Sequence, residues 1–309
     1  MTGPSTSLAE LHLHLDGSLR MSTVRELAAR LGVPVPGNLL FHRGMGLTDA
    51  LSRFAFTLSL LQQPAEVKRV AAELCEDAAR DGVTTLEVRF APQLHRGAPP
   101  EAIIDAALEG LAGRAGLILC GLYGEPPEVL EHLVTCAASR PGVVGIDLAG
   151  GPAPTHSFHL ADYARAFTRA RDSGLGRTVH AAEGRPPAEI RVAVEALHAQ
   201  RIGHGTTLLD DEDIVDLVLR RGVTLEACPT SNVHTGVCGL APGTSDVAAH
   251  PLPRWLERGV RACVCADNTL LSDVSTAQEY ERAARIPGMT PELLARAVAN
   301  GHAAAFHRR

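Results

Sequence analysis

LAELHLHLDG, residues 8–17, ends the first apolar run of the chain on chemistry. Leu11 and Leu13 alternate with His12 and His14, the period of a β-strand. Residues i and i+2 of a strand share a face. His12 and His14 therefore emerge side by side at a strand end, with Asp16 and Gly17 directly behind them. Neighbouring imidazoles are a natural pair of metal ligands. The plain alternative is two surface histidines, and what recurs downstream decides between the two.

Seven more short apolar runs follow, at 83–90, 116–121, 143–148, 177–181, 200–204, 222–227 and 261–266. Amphipathic patterns separate them. Across Glu66 to Arg80, Val67, Val70, Ala71, Leu74 and Ala78 keep a helical period, and Asp81-Gly82 stops it. The stretches 99–111, 126–138, 187–199 and 211–221 repeat the design. Three of them open on proline, which suits a first helical turn, and the last closes on Gly222. Eight strand-then-helix units predict an α/β fold, a parallel (β/α)8 barrel rather than a doubly wound sheet. Residues 1–309 read as a single domain of this kind. The longest connection, 15–65, carries a helix of its own with Leu47, Leu51, Phe54, Leu58 and Leu61 on one stripe. It reads either as a packing helix or as an apolar lid-like insertion over the barrel mouth.

Bulk properties exclude several functions. With a net charge of −6 there is no basic footprint for nucleic acid. No run of 18 apolar residues exists to span a membrane, and Met1 to Ser7 lack the features of a secretory signal. The seven cysteines form no CxxC pair and read as reduced core residues of a cytoplasmic protein. The sequence leaves a homo-oligomer open.

Active sites of such barrels lie where the strands end. The candidate groups fall there: His12 and His14 after the first strand, His180 and Glu183 after the fifth, His204 after the sixth, Asp267 and Asn268 after the eighth. Three imidazoles and a carboxylate, from His12, His14, His180 and Asp267, suit one Zn²⁺ with room for a water. Bound zinc lowers the pKa of such a water from about 16 to about 7. Glu183 is placed to shuttle a proton, and His204, between Gly203 and Gly205, to orient a hydroxide. Singly, Glu183 reads equally well as a solvated loop carboxylate and Asp267 as a helix cap. The set carries the argument.

The motifs LHLHLDGS (11–18), EVRFAPQLH (87–95), IDLAG (146–150), TVHAAE (178–183), RIGHG (201–205), CPTSN (228–232) and ADN (266–268) together resemble the adenosine deaminase family of the amidohydrolase superfamily. They stand in the family's order and, with the helices between them, cover about residues 8 to 307. The resemblance implies that His12, His14, His180 and Asp267 hold zinc. It implies that Glu183 protonates N1 of a purine and that His204 helps activate the water attacking C6. Gly150 would meet N3 through its backbone N–H, Asp16 a ribose hydroxyl, and Asn268 the ring N7; His14 also borders the substrate. The substrate so implied is a purine nucleoside.

Three residues depart from the family pattern: Asn268 for a second aspartate, Ala182 for the commoner glycine, and Gly151 for a common aspartate. An asparagine NH₂ can donate to N7 without a protonated carboxyl. Other readings are a deaminase of a specialised nucleoside such as 6-amino-6-deoxyfutalosine, an adenine deaminase, or a non-catalytic nucleoside-binding barrel. A binuclear lactonase or phosphotriesterase fits less well, since the fourth strand ends in Asp147, Leu148 and Ala149 without a bridging lysine. The zinc deaminases with an HxE…PCxxC signature are a separate group, and Cys228-Pro229 has that order reversed.

Overall fold

The computed structural model describes residues 7–238 and 246–307. Eight strands follow one another around a barrel: β1 (Leu8–His14), β2 (Val83–Phe90), β3 (Gly116–Leu122), β4 (Val143–Ala149), β5 (Gly176–Ala181), β6 (Arg201–His204), β7 (Thr224–Ala227) and β8 (Arg261–Val264). Each pairs in parallel with the next. Between β8 and β1 the ring closes through one bridge, with His14 N–H donating to Asp267 O at 2.8 Å and Asp267 N–H to His12 O at 2.9 Å. The eight-unit reading of the sequence matches this architecture strand for strand.

The helices form because each has one apolar stripe to bury against the strands. Pro64–Arg80 buries Val67, Val70, Ala71, Leu74, Cys75 and Ala78, the periodic set visible in the sequence. Glu212–Arg221 starts on Asp211, whose carboxylate accepts from Asp213 N–H and Ile214 N–H, and stops at Gly222 with φ +64°. Met21–Leu31 is a helix that the sequence reading does not delimit. It buries only Thr23, Val24, Leu27 and Ala28, and polar side chains dilute its stripe. With Leu47–Leu60 it fills the long connection after β1.

The barrel interior is charged, where such barrels are ordinarily filled by branched apolar side chains. Glu87, Arg89, Asp147, Arg201 and Glu226 are all buried. Arg89 donates to Asp147 Oδ2 and to Glu226 Oε2, both at 2.8 Å. Arg201 reaches Glu87 Oε2 at 2.6 Å and stands with its Nε 2.7 Å from Glu226 Oε1. Beneath them the chain end plugs the barrel: Phe306 lies 3.7 Å under the Arg201 guanidinium, and His307 N–H donates to Glu87 Oε1 at 2.7 Å. Buried charges persist only when paired. Here two arginines face three carboxylates, and the excess negative charge lies directly below the histidines of β1 and β5.

Candidate active site

At the carboxyl ends of the strands the histidine nitrogens converge. His12 Nε2 lies 3.1 Å from His180 Nε2, and His14 Nε2 lies 3.3 Å from the same atom. Asp267 Oδ1 stands 3.7 Å from His12 Nε2 and 3.5 Å from His14 Nε2. Four donors around one zinc at about 2.0–2.1 Å would stand about 3.3–3.4 Å apart in a tetrahedron. His12, His180 and His204 also form a compact group, so His204 borders the same point.

The interior charges decide how these imidazoles face. His12 Nδ1 is 2.7 Å from Glu226 Oε2, and His180 Nδ1 is 3.0 Å from Asp147 Oδ2. A carboxylate can only accept, so each Nδ1 carries the proton and each Nε2 presents its lone pair. Burial, with the Arg89 charge next, holds His12 well below its ordinary pKa. Burial, then the neighbouring His180 ring, does the same for His14. The Asp147 carboxyl is pushed up by burial, but its contacts with His180 and with the Arg89 charge outweigh this and keep it well below the usual range. Lone pairs of neutral imidazoles pointing at each other across 3.1 Å repel unless a cation lies between them. The donor set thus fits a divalent metal.

Around this point the second group of candidates gathers. Glu183 Oε1 accepts from Thr235 Oγ1 at 3.0 Å, and its Oε2 lies 3.9 Å from His204 Nε2. Burial raises the Glu183 pKa, yet the neighbouring His204, Arg185 and His180 bring it below the ordinary value. His204 Nδ1 receives the Asn232 amide at 3.0 Å, whose oxygen faces His250 Nε2 at 3.2 Å. Burial lowers the His204 pKa, and because Nδ1 accepts from Asn232 the ring carries its proton on Nε2. Ser231 Oγ donates to Asp267 Oδ2 at 2.5 Å. Burial, only partly offset by His204 and Ser231, pushes the Asp267 carboxyl up.

The backbone is strained where these groups sit. Ala182, His204 and Asp267 have φ of +54°, +67° and +63°. Left-handed backbone costs a non-glycine residue roughly 1–2 kcal/mol, and such strain concentrates at functional sites. The same φ accounts for the glycine commoner at 182, which carries no such penalty; nothing in the structure explains the alanine. Two glycines are fixed by contact: a Cβ on Gly203 would lie 2.8 Å from His12 Cε1, and one on Gly17 would lie 2.0 Å from Asn268 Oδ1.

A small cavity of about 50 Å³ lies over the histidines, bordered by Glu183, His204, Asp267 and Asn268. It shares His14, Leu47, Leu51, Phe54 and Gly150 with a larger one of about 500 Å³, which Asp16 also lines. Leu47, Leu51, Phe54 and Leu58 form one wall of the larger cavity, whereas Leu61 is buried beyond the helix end and accepts from His95 Nδ1 at 2.6 Å. Asp16 Oδ1 and Asn268 Oδ1 are buried without a hydrogen-bond partner among the described residues. Burial pushes the Asp16 carboxyl up to about 7.

The structure therefore brings together every candidate site residue: His12, His14, Asp16, Gly150, His180, Glu183, His204, Asp267 and Asn268. The sequence reading passed over Arg89, Asp147 and Glu226 as functional residues. Their signal was a charge inside an apolar strand, as in EVRF and IDLA. Arg185 was missed as well. Its Nη1 and Nη2 have no hydrogen-bond partner among the described residues, and Nη1 lies 2.8 Å from where a Cβ on Gly151 would be.

A parallel barrel with histidines and an aspartate at its strand ends defines a metal-dependent hydrolase. The sequence profile of the family described as adenosine deaminase matches residues 7–309. The chain belongs to the adenosine deaminase family, within the metallo-dependent amidohydrolases, and is a metal-dependent aminohydrolase. It is 34% identical to the adenosine deaminase of Clostridium perfringens over 292 residues, 88% of this chain and 85% of that protein. Its fold is similar to that of the adenine deaminase of Arthrobacter aurescens, with a TM-score of 0.86, 27% identity, and 97% and 94% of the two chains covered. It is equally similar to the arabidopsis N6-mAMP deaminase, with a TM-score of 0.86, 25% identity, and 98% and 94% covered. Among the described residues no helix is long and apolar enough to cross a membrane.

Proposed function

We propose that this protein catalyses the zinc-dependent hydrolytic deamination of a 6-aminopurine nucleoside, adenosine or 2′-deoxyadenosine, to the 6-oxopurine and ammonia. One observation carries the choice of substrate. The cavity joined to the histidine centre holds an unpartnered buried carboxylate oxygen, Asp16 Oδ1, amid an apolar lining without lysine or arginine. An acceptor there suits a sugar hydroxyl. A phosphate beside Asp16 would meet a carboxylate and, among the described lining residues, no lysine or arginine; Arg185, behind Gly151, already pairs with Glu189, which disfavours AMP.

In this reading His12, His14, His180 and Asp267 hold one zinc ion. When bound, the ion makes hydroxide available near neutrality by lowering the pKa of a water to about 7. Glu183, ionised in the free protein, takes a proton from the attacking water and delivers it to N1. His204 presents its Nε2–H to the attacking oxygen and fixes its position at C6, acting as a donor rather than a base. The new C–O bond forms at C6, the proton left on that oxygen passes to the amino nitrogen, the C–N bond breaks, and ammonia leaves while the relayed proton stays on N1. Gly150 N–H meets N3, the Asn268 amide donates to N7, and Asp16 accepts from the sugar.

A second reading rests on the size of the cavity, about 500 Å³, which Leu58, Leu94 and Leu122 line together with Asp16. It suits a nucleoside with a bulky, aryl-bearing substituent on its sugar, such as 6-amino-6-deoxyfutalosine. The experiment is ammonia release from zinc-loaded protein on adenosine, 2′-deoxyadenosine, adenine, AMP and 6-amino-6-deoxyfutalosine side by side. A kcat/KM on adenosine or 2′-deoxyadenosine of order 10⁴ M⁻¹s⁻¹ or better supports the proposal. Activity confined to adenine or AMP overturns it, and activity confined to the last substrate moves it to the second reading.

A further inference from the structure

Outside the barrel a second set of donors meets. Helix Pro100–Leu111, between β2 and β3, and helix Pro127–Ala138, between β3 and β4, are neighbours in the outer ring. Glu101 comes from the first turn of one; His132 and Cys136, four residues apart, lie on one face of the other. Glu101 Oε1 lies 3.1 Å from His132 Nε2, Cys136 Sγ lies 3.6 Å from His132 Nε2, and Cys136 Sγ lies 3.9 Å from Glu101 Oε1.

These separations can be compared with a coordination sphere. Zinc takes nitrogen and oxygen at about 2.0–2.1 Å and sulfur at about 2.3 Å. In a tetrahedron this puts nitrogen and oxygen about 3.3 Å apart, and sulfur about 3.5–3.6 Å from either. The three donors thus stand within a few tenths of an ångström of the required triangle before any metal enters. The cluster is more than an ion pair with a bystander thiol: Nε2, Oε1 and Sγ all lie within 3.9 Å of one another. Side-chain exposures of 52% at His132 and 42% at Glu101 leave the cluster open to solvent for a fourth, water ligand. The nearest cation, Arg140, is turned away: its Nε donates to Asp105 Oδ1 at 2.6 Å and its Nη1 to Cys136 O at 3.1 Å.

We propose that Glu101, His132 and Cys136 form a peripheral binding site for a borderline-soft divalent cation, zinc first, which clamps two consecutive helices of the outer ring. The mixed nitrogen, oxygen and sulfur set selects zinc or cobalt over magnesium and calcium, which prefer all-oxygen shells. Coordination converts the Cys136 thiol to a thiolate, with its proton released to solvent. A thiolate, a carboxylate and a neutral imidazole then balance the charge of the ion. The site does not depend on the proposed deamination.

The test uses the full protein with its barrel centre already loaded, titrated with Zn²⁺ and separately with Co²⁺ in the presence of a metal-free reductant. The wild type is expected to take up about one further ion per chain at micromolar metal. With cobalt it should develop a near-ultraviolet sulfur-to-metal charge-transfer band, and with zinc its melting temperature should rise. His132→Ala, at a half-exposed residue, and Cys136→Ala should each lose the extra ion, the band and the thermal shift while turnover stays unchanged. Wild-type protein that takes up no further ion overturns the proposal. So does uptake that persists undiminished in both variants.

Discussion

His12 Nδ1 and Glu226 Oε2 stand 2.7 Å apart, both sealed from solvent. That contact fixes the face that His12 turns to the barrel mouth, and the same carboxylate neutralises Arg89 and Arg201. Glu226→Gln keeps the shape but loses the charge. Metal affinity should fall about ten- to a hundredfold. Stability should drop by about 3 kcal/mol, because two buried arginines lose a shared partner. Metal content after dialysis and chemical denaturation measure the two effects.

Glu183→Gln should leave zinc content unchanged and lower kcat by roughly two to four powers of ten. Near wild-type turnover in a zinc-assay-matched sample would remove Glu183 from the proton relay.

Chelation should abolish activity and lower the melting temperature, since an ion bound only by the folded state stabilises it, and added zinc should restore both. His180→Ala should bind no metal in the barrel centre. Full occupancy in that variant, read by elemental analysis, would show that the donor set is wrong.

Glu279 gives a pH prediction for stability. Burial, opposed by hydrogen bonds from Thr230, raises its carboxyl to about 7 from an ordinary 4.5. The folded state therefore holds this proton more tightly than the unfolded chain. As pH rises from about 4.5 to 7 the protein loses up to about 3 kcal/mol through this group, with no further change above. Glu279→Gln, which keeps the acceptor for Thr230 N–H, should lack that slope. Melting curves of both proteins from pH 4.5 to 7.5 compare them; parallel curves would refute the assignment.

Asn268→Asp puts a second carboxylate beside Asp267 in a buried site. Like charges raise carboxyl pKa values, so the acid limb of kcat/KM against pH should move upward while adenosine turnover persists. A dead variant would mean that the pocket has been built around the amide.

The sequence by itself determined the barrel and most of its mouth. Eight apolar runs with proline-opened and glycine-closed helices between them leave little choice of fold, because local period and caps are written in neighbouring residues. The histidines, Glu183, Asp267 and Asn268 were legible because strand ends are where such a barrel does chemistry. The helix at Met21–Leu31 was obscured by its polar dilution. The roles of Leu47, Leu51, Phe54 and Leu58 were undecided, since a stripe reads alike whether it faces a core or a cavity. Only the tertiary structure brought Arg89, Asp147 and Glu226 from β2, β4 and β7 into one buried network. It alone turned His12 and His180 outward on their Nε2 atoms, left Asp16 Oδ1 without a partner, and set Glu101 beside His132 and Cys136. Each depends on where side chains far apart in sequence meet, and pairing across a barrel interior leaves no periodic trace in the chain.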